Sequence, residues 1–529
     1  MNCLSKIHFH LQWIVFLPLF LNLAMPVHAQ HTNGELVSAD SNRITNNSFS
    51  RWLQCVEPDG TTVDCKQVPV PLDWNKKNGK KISIFVQRRI LKPSGVKPEK
   101  RVQLWLNAGG PGNTSSLFLT LIADLRRIAN ARGIEIEVLS MDHRGTGRSA
   151  RLGCPSFESG TSAGGAKITD FEWTDCLKAL KEKWGDDLTK FSSEMAANDL
   201  NHLIEIENDE RPTFVYGVSY GTTLLNTLLH LHEPPINGVI LDSIALSTSH
   251  IDYDRDFDKV GRAVLNKCLE DQVCKAKLGP SPVAFLESLT KKIRMGHCDE
   301  VGVDLDNLRL MLGAMIQDSS LRQLVPATIY RLDRCNSEDQ AALGRLISIL
   351  TTAREQKLKS PFFKMESKAL LYNIDLSERW KAPPKSLRDI KAKQEKLLFS
   401  LGLTPEQAKR YPNWPKYDAK AFAPVAKTNL PVLMLQGGLD PNTPLSRSKS
   451  AREAYSGQNQ YFIKFPDTPH GVVFNTQVES KIPCGVRVLV DFITNPQVRP
   501  SKACLDELPR IDFNPTKLGE AMFGTPSVW

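Results

Sequence analysis

The chain has 529 residues, of which 41% are hydrophobic and 24% are charged. This composition is typical of a globular protein with a sizeable core, and it excludes collagen-like, disordered and polytopic membrane classes. The net charge of +9 comes from 67 basic and 58 acidic side chains without long runs of one sign, so charge gives no support for nucleic-acid binding.

Residues 1–29 have the layout of a secretory signal peptide. Lys6 precedes an apolar stretch at 13–25, and the small-residue sequence VHA ends at Ala29. The alternative is an uncleaved membrane anchor, but the stretch is shorter than the roughly 18 apolar residues that a span requires. We therefore expect cleavage after Ala29 and a secreted or periplasmic protein with no stable membrane insertion.

The cysteine count supports export. Cys3 lies in the predicted signal, so ten of the eleven cysteines remain, and an even number can pair completely in an oxidising compartment. Because short loops close easily, we expect neighbours to pair: Cys55–Cys65, Cys154–Cys176, Cys268–Cys274, Cys298–Cys335 and Cys484–Cys504. The tight cysteine and histidine clusters of a zinc site do not occur, so we predict no metal site.

Strand-like and helix-like segments alternate after a polar lead at 30–50. Short runs rich in Val, Ile, Leu and Phe predict strands at 81–90, 101–107, 134–142, 212–219, 237–243, 431–438 and 460–466. Helical patterns lie between them at 116–132, 196–207 and 222–233. This alternation predicts an α/β fold with a mostly parallel sheet and helices on both faces.

Residues 244–428 break the alternation. They contain helix-like segments rich in Lys, Arg, Leu and Glu and no convincing parallel strand. Because two more strands follow, we interpret this stretch as a helical cap inserted between a first core part at 30–243 and a second core part, with a C-terminal disulfide tail, at 429–529. The alternative is a separate domain that follows a finished first one.

The strongest local motif is Gly217-Val218-Ser219-Tyr220-Gly221, where a strand pattern ends and a helical pattern begins. G-x-S-x-G at a strand-to-helix turn places the serine on a strained elbow, with its hydroxyl exposed at the carboxyl end of the sheet. The alternative is a glycine-rich turn with an idle serine. The context favours Ser219 as a nucleophile.

A serine hydroxyl needs a histidine to accept its proton and a carboxylate to orient that histidine. In hydrolases with this elbow, the acid and then the base follow the serine. Asp440 follows the strand at 431–438, and His470 follows the strand at 460–466. Asp467 is the rival acid, but Asp440 comes after the next-to-last strand. We predict the catalytic triad Ser219, Asp440 and His470, with no cofactor.

An oxyanion hole requires backbone N–H groups that face the developing negative charge. Tyr220 directly follows the nucleophile and supplies one, and the sequence NAGGPG after the strand at 101–107 offers Gly110, with Gly109 as the second choice. A phosphate-binding loop is the alternative, but the glycine spacing does not fit one. In the later sequence DHRGTGRS we interpret Asp142 and Arg144 as part of a glycine turn held by an ion pair, not as a catalytic pair.

The motifs GGPG, DHRGTGRS, GVSYG, GGLDPNTP and PHG occur in this order. Together they resemble the prolyl-aminopeptidase and tripeptidyl-aminopeptidase family of α/β-hydrolase serine peptidases, and the exported tripeptidyl type is more similar. The resemblance implies the α/β-hydrolase fold, the triad and oxyanion hole named above, and a peptide substrate with a free N-terminus. Ala108 stands where prolyl members have the histidine of HGGPG, which argues against strict specificity for proline.

The resemblance also implies acidic groups in the cap that bind the substrate ammonium. We choose none: Glu270, Asp271, Asp299 and Glu300 are interpreted as surface charges. The sequence thus predicts an exported serine exopeptidase that cleaves near the free N-terminus through an acyl-enzyme. The alternative is a carboxylesterase or lipase on the same scaffold, because this triad serves any acyl transfer. A non-catalytic binding protein would not need all three triad members.

Overall fold

The computed structural model describes residues 51–57, 59–154, 168–246, 252–380, 386–419, 425–478 and 482–529. The predicted signal peptide at 1–29 lies outside these residues. None of the helices in the described ranges is long and apolar enough to cross a membrane.

Nine strands of the described chain form one sheet in the order β1-β2-β3-β5-β4-β6-β7-β8-β9. Their bounds are β1 Leu53–Val56, β2 Thr62–Pro71, β3 Lys81–Leu91, β4 Lys100–Asn107, β5 Ile134–Met141, β6 Thr213–Val218, β7 Gly238–Asp242, β8 Val432–Gly437 and β9 Gln460–Phe465. The pairs from β1 to β5 are antiparallel, and those from β5 through β9 are parallel. The predicted mostly parallel sheet is confirmed.

The α-helices are α1 Leu119–Arg132, α2 Trp173–Trp184, α3 Ser193–Ile206, α4 Tyr220–Leu231, α5 Tyr253–Asn266, α6 Gln272–Leu278, α7 Pro282–Arg294, α8 Leu305–Met315, α9 Val325–Arg334, α10 Ser337–Lys359, α11 Pro361–Met365, α12 Lys368–Ile374, α13 Leu387–Gln394, α14 Leu403–Arg410, α15 Lys449–Ala454, α16 Cys484–Thr494 and α17 Thr516–Phe523. A π-helical turn, Asp375–Arg379, follows α12. Short 3-10 helices occupy Ser115–Phe118, Gly185–Lys190, Lys267–Glu270, Asp299–Val301, Leu321–Leu324, Leu445–Ser448 and Ala503–Leu505.

Helices cover both faces of the sheet, because side chains alternate between the faces along each strand. Val215 points to the core that contains α2, α3 and α4. Its neighbours Phe214 and Tyr216 point to the opposite core, which contains α1 and α16. Two faces buried against helices explain why central parallel strands such as β7 and β8 are mostly apolar rather than alternating in hydrophobicity.

Every described element between β7 and β8 is a helix, from α5 to α14. Most of these helices pack around a third apolar core, which also takes in α17 and the C-terminal Trp529. Their position between two neighbouring parallel strands agrees with an insertion, although the predicted bounds at 244 and 428 stay predictions. We call the helices α5–α14 with their connections the insertion.

The structure pairs the ten cysteines as the sequence analysis expects. The disulfides are Cys55–Cys65, Cys154–Cys176, Cys268–Cys274, Cys298–Cys335 and Cys484–Cys504. Two of them lie in the insertion. All five close short stretches of chain, so they restrain the unfolded chain locally rather than joining the insertion to the sheet.

Candidate active site

Ser219 lies on a sharp turn between β6 and α4, with φ 58° and ψ −124°. This left-handed conformation is uncommon for a residue with a side chain and is typical of a nucleophile elbow. Glycines flank it for steric reasons: a Cβ on Gly217 would lie 2.5 Å from the carbonyl oxygen of Gly221, and a Cβ on Gly221 would lie 2.4 Å from that of Asn107. The strand-to-helix turn predicted from the motif is therefore present.

Asp440 and His470 follow the neighbouring strands β8 and β9, so they meet at one edge of the sheet. The Nδ1 of His470 lies 2.8 Å from Oδ2 of Asp440. Asp440 is fully buried, and its Oδ1 accepts the backbone N–H groups of Asn442 and Thr443 at 2.9 Å each. The Thr443 hydroxyl donates to Oδ2 at 2.7 Å. These bonds fix the carboxylate in a position that orients the imidazole, with Nδ1 as its donor.

The rival acid Asp467 has a different partner. Its Oδ1 lies 3.3 Å from Nζ of Lys267, at the insertion. The structure therefore brings Asp440 rather than Asp467 to His470, as the strand order predicts.

Ser219 and His470 line one cleft, with a volume of about 310 Å³. The lining also includes Gly109 and Gly110 from the loop after β4 and Phe363 from the insertion. The turns after the strands contribute Ser219 and His470 to the cleft, and the insertion contributes Phe363. A ligand held in this cleft would therefore contact both the sheet part and the insertion.

The loop after β4 lies directly against the elbow. A Cβ on Gly109 would lie 2.8 Å from the Cβ of Ser219, and Gly110 has φ 110°, which a side chain rarely allows. Tyr220 is the first residue of α4, and N–H groups in the first helical turn have no acceptor within the helix. Tyr220 thus adjoins the serine, and Gly110 lines the same cleft one residue beyond the closest approach at Gly109; their role as oxyanion donors stays a prediction.

A buried hydrogen-bond chain runs from this elbow to the insertion. The Nδ1–H of His143 donates to the carbonyl oxygen of Arg144 (2.6 Å), and its Nε2 lies 3.2 Å from the Tyr220 hydroxyl. That hydroxyl bonds Ser193 Oγ at 2.7 Å, and the Ser193 N–H donates to Glu378 at 2.8 Å. Burial lowers the pKa of His143 to about 4, so its imidazole is neutral at pH 7.

The sequence DHRGTGRS forms a structural turn held by ion pairs, as expected, but Asp142 and Arg144 each pair with a different residue. Arg144 makes a two-pronged salt bridge with Asp199 of α3, at 2.7 Å and 2.6 Å, and both side chains are fully buried. Asp142 accepts the N–H and hydroxyl of Ser115, at 3.0 Å and 2.7 Å. Its Oδ2 also accepts the N–H of Arg148 at 2.9 Å and lies 3.8 Å from Nε of that residue. Asp142 therefore joins the DHRGTGRS turn to the turn that enters α1.

Sequence reasoning missed two charged residues of the insertion that line the cleft, Lys357 and Glu366. Burial lowers the pKa of the Lys357 ammonium to about 8. Burial also raises the pKa of the Glu366 carboxyl, against the influence of Lys368 and Lys357; Nζ of Lys368 lies 4.0 Å from it. Nothing in the sequence distinguishes these residues from the other lysines and glutamates of the insertion.

The acidic residues that the sequence analysis left as surface charges are not among the residues that line the cleft. Glu270 pairs with Lys267 at 3.0 Å, and Asp271 accepts the N–H of Cys274 as the N-cap of α6. Asp299 and Glu300 are exposed.

Known proteins resemble this chain in sequence over part of its length. A family model described as the alpha/beta hydrolase fold matches residues 104–273. Tripeptidyl aminopeptidases of Streptomyces lividans and Streptomyces coelicolor are each 26% identical over 208 residues, which is 37% of this chain and 38% of the relative. The match thus spans well under half of the length of these curated relatives.

Among solved structures, a proline iminopeptidase of Mycobacterium smegmatis is 13% identical with a TM-score of 0.37, covering 82% of this chain and 99% of the other. An esterase of Exiguobacterium antarcticum is 12% identical with a TM-score of 0.30, covering 78% of this chain and 96% of the other. The chain has the α/β-hydrolase fold, and residues 104–273 match the family model of that fold. Over part of its length it is similar to the tripeptidyl aminopeptidases, as its motifs predict.

Proposed function

We propose that this protein is an exported serine exopeptidase that hydrolyses peptide bonds near the free N-terminus of peptides, in the manner of tripeptidyl or prolyl aminopeptidases. The observation that carries the proposal is that Nδ1 of His470 lies 2.8 Å from Oδ2 of Asp440, while His470 and Ser219 line one cleft. Asp440 is buried, and three further hydrogen bonds hold its carboxylate in place. The acyl-transfer reaction follows from these groups.

His470 Nε2 takes the proton of the Ser219 hydroxyl as its oxygen attacks the substrate carbonyl. The carbonyl oxygen becomes negative and accepts the N–H groups of Gly110 and Tyr220. His470 then gives the proton to the leaving amine, and the C–N bond breaks to leave an ester on Ser219. Water, deprotonated by the same histidine, hydrolyses that ester and restores the serine.

An exopeptidase must also recognise the substrate's free ammonium. Glu366 is the one carboxylate among the described residues that line the catalytic cleft, and we assign ammonium binding to it. Lys357 lines the same cleft, so its charge opposes this binding at pH values below its pKa of about 8. Glu366→Gln is therefore expected to raise KM for free-amine substrates about tenfold or more, with little change in kcat.

The proposal is tested with tripeptide anilides that carry a free or an acetylated N-terminus. We expect cleavage of the free-amine anilide and a loss of at least about hundredfold on acetylation, because the acetylated peptide lacks the ammonium. Equal turnover of both anilides would exclude an exopeptidase. In Glu366→Gln the difference between them is expected to shrink, whereas an unchanged ratio would show that Glu366 does not bind the amine.

Ser219→Ala tests the nucleophile. The expected fall in kcat/KM is about 10⁴- to 10⁶-fold, because the acyl-enzyme can no longer form. Ser116, a second serine of the cleft, provides the matched control, and Ser116→Ala is expected to stay within about threefold of the parent enzyme. Activity in Ser219→Ala close to that of the control would rule out the elbow serine.

An esterase or lipase is the second candidate function, and the apolar lining of the cleft favours it. Phe362, Phe363 and Phe474 border the cleft that holds the serine, and such a surface suits an acyl chain as well as a peptide side chain. Turnover of short-chain p-nitrophenyl esters together with inactivity on every free-amine peptide would establish this alternative.

Export is part of the proposal. Five disulfides persist only where the compartment is oxidising. The N-terminal sequence of protein recovered from the medium or periplasm tests it, and we expect it to begin at Gln30. Recovery of full-length protein in the cytoplasm with free thiols would contradict export.

A further inference from the structure

The segment 365–367 leads from the end of α11 into α12 and carries Glu366 to the wall of the catalytic cleft. Its backbone is extended, with φ −65° and ψ 155° at Glu366 and φ −120° and ψ 113° at Ser367. Carbonyl groups of an extended stretch between two helices cannot all be bonded within a helix, so they need partners from another part of the molecule.

The DHRGTGRS turn and the residues just after it supply these partners. The N–H of Gly147 donates to the carbonyl oxygen of Met365 at 2.9 Å. Nη1 of Arg151 donates to the same oxygen at 2.8 Å, and Nη2 of Arg151 donates to the carbonyl oxygen of Glu366 at 2.6 Å. One guanidinium therefore bonds two successive carbonyl groups, on either side of the Cα that bears the Glu366 side chain.

Ser367 is bonded to two other loops. Its N–H donates to the carbonyl oxygen of Gly112, in the loop after β4, at 2.9 Å. Its hydroxyl donates to the carbonyl oxygen of Leu152. A Cβ on Gly112 would overlap the carbonyl oxygen of Ser367, so this close approach requires glycine. The segment that carries Glu366 is thus held against the same loop that contains Gly110.

The backbone around Arg151 is itself fixed. The N–H of Gly145 donates to the carbonyl oxygen of Ala150 at 2.9 Å, and the N–H of Leu152 donates to the carbonyl oxygen of Gly145 at 3.1 Å. These two bonds lie on either side of Arg151. The positive charge of Arg151 also favours the ionised form of Glu366, whose pKa is raised by burial. Arg151 is thus placed to influence both the position and the charge of the carboxylate.

We propose that Arg151 is a positioning residue for Glu366, and that by holding the backbone of Glu366 it sets the affinity for substrates with a free N-terminus. Arg151 is not among the residues that line the cleft, so it acts through Glu366 rather than by touching the substrate. This inference rests on the proposed function, because it requires Glu366 to bind the substrate ammonium. Such a charged contact depends on distance and direction, and a displaced carboxylate binds more weakly.

Arg151→Met tests the inference, because methionine keeps much of the aliphatic stem and removes the guanidinium. We expect KM for the free-amine tripeptide anilide to rise about three- to tenfold, with kcat within about twofold. Turnover of p-nitrophenyl acetate should stay within about twofold, because that ester has no ammonium. Arg151→Lys keeps the charge but cannot reproduce the two-pronged contact, so its KM should lie between those of the parent and Arg151→Met.

Arg309→Met is the matched control. Arg309 also bonds two carbonyl groups, since its Nε donates to the carbonyl oxygen of Leu397 at 2.8 Å and its Nη2 donates to that of Glu395. It lies in the insertion and is not among the residues that line the catalytic cleft. Loss of this contact should leave KM for the free-amine anilide within about twofold, so the control separates general damage to the insertion from a displaced Glu366.

A double-mutant cycle shows whether Arg151 acts through Glu366. In the Glu366→Gln background no carboxylate remains to be positioned. Arg151→Met should therefore raise KM for the free-amine anilide by less than about twofold in that background, against three- to tenfold in the parent. A residue with a merely structural role would have the same effect in both backgrounds.

Three results overturn the inference and leave the proposed function standing. One is an unchanged KM in Arg151→Met when Glu366→Gln raises it. Another is an effect of Arg151→Met that persists in full in the Glu366→Gln background. The third is an equal decline of anilide and ester turnover in Arg151→Met. By contrast, an unchanged KM in Glu366→Gln refutes the assignment of ammonium binding, and equal cleavage of free and acetylated anilides by the parent refutes the exopeptidase; either result removes this inference as well.

Discussion

The buried imidazole of His143 should make the protein acid-sensitive by an amount that the structure defines. Burial lowers the pKa of His143 from 6.5 to about 4 in the folded chain, whereas the unfolded chain keeps a pKa near 6.5. The unfolded state therefore binds the extra proton first, and stability falls as the pH falls from about 7 to 4. The loss from this one side chain is about 2 kcal/mol at pH 5 and about 3 kcal/mol at pH 4.

His143→Asn isolates this contribution. Asparagine does not titrate, and its side-chain amide can replace the Nδ1–H donor that bonds the carbonyl oxygen of Arg144. Urea unfolding at pH 7.5 and pH 5, with the disulfides intact, gives the stability of both proteins. Carboxylates titrate alike in both, so the parent should lose about 2 kcal/mol more than the variant between these pH values. Parallel losses would refute a buried, neutral histidine next to Tyr220.

Other substitutions separate the roles of neighbouring groups. Asp440→Asn should lower kcat about 10³- to 10⁴-fold in an anilide or ester assay, while Asp467→Asn should leave kcat within about threefold; the reverse order would make Asp467 the acid. Arg144→Met leaves its buried aspartate partner without a counter-charge and should lower the free energy of unfolding by about 3–5 kcal/mol in a urea titration. Gly109→Ala forces a methyl group to 2.8 Å from both the Ser219 Cβ and the backbone carbonyl oxygen of Val218; kcat/KM should fall about hundredfold and the free energy of unfolding by about 1–3 kcal/mol, and full activity would mean that the loop moves freely.

The sheet was predictable because its parallel strands are buried on both faces and form continuous apolar runs. All seven predicted strands are present with their ends shifted by at most one residue; the strand predicted at 212–219, for example, spans Thr213–Val218. The convergence of Ser219, Asp440 and His470 was predictable for a related reason. Each residue lies in the turn that follows a parallel strand (β6, β8 and β9), and the carboxyl ends of such strands lie at one edge of the sheet.

The strands β1 and β2 were missed because they lack this pattern. β2 contains Lys66, Gln67 and two prolines, and it forms an antiparallel pair with β3 near the edge of the sheet, where prolines and polar residues are tolerated. Its strand character depends on pairing with β3 rather than on its own hydrophobic run. Local sequence gives little indication of such a strand.

Contacts between distant segments could not be predicted from spacing. Arg144 pairs with Asp199, 55 residues away, and no local pattern connects the two. The same holds for Glu366 and Lys357, since the insertion contains many charged residues and only its packing against the sheet determines which of them reach the cleft. Burial separates these residues from the others, and burial depends on the tertiary structure.

The roles assigned to the strand ends and to the insertion also differ. The groups assigned to bond cleavage lie at the ends of sheet strands, and they act on a carbonyl that every peptide and ester possesses. Glu366, to which we assign ammonium binding, lies in the insertion, and an ammonium is a group that only some substrates carry. Substitutions in the insertion should therefore change the ratio of kcat/KM between substrates. They should leave kcat/KM for a small neutral ester unchanged, because that ester has no charged group for the insertion to bind. Changes at the strand ends should lower every rate by a similar factor, since the carbonyl chemistry is common to all substrates.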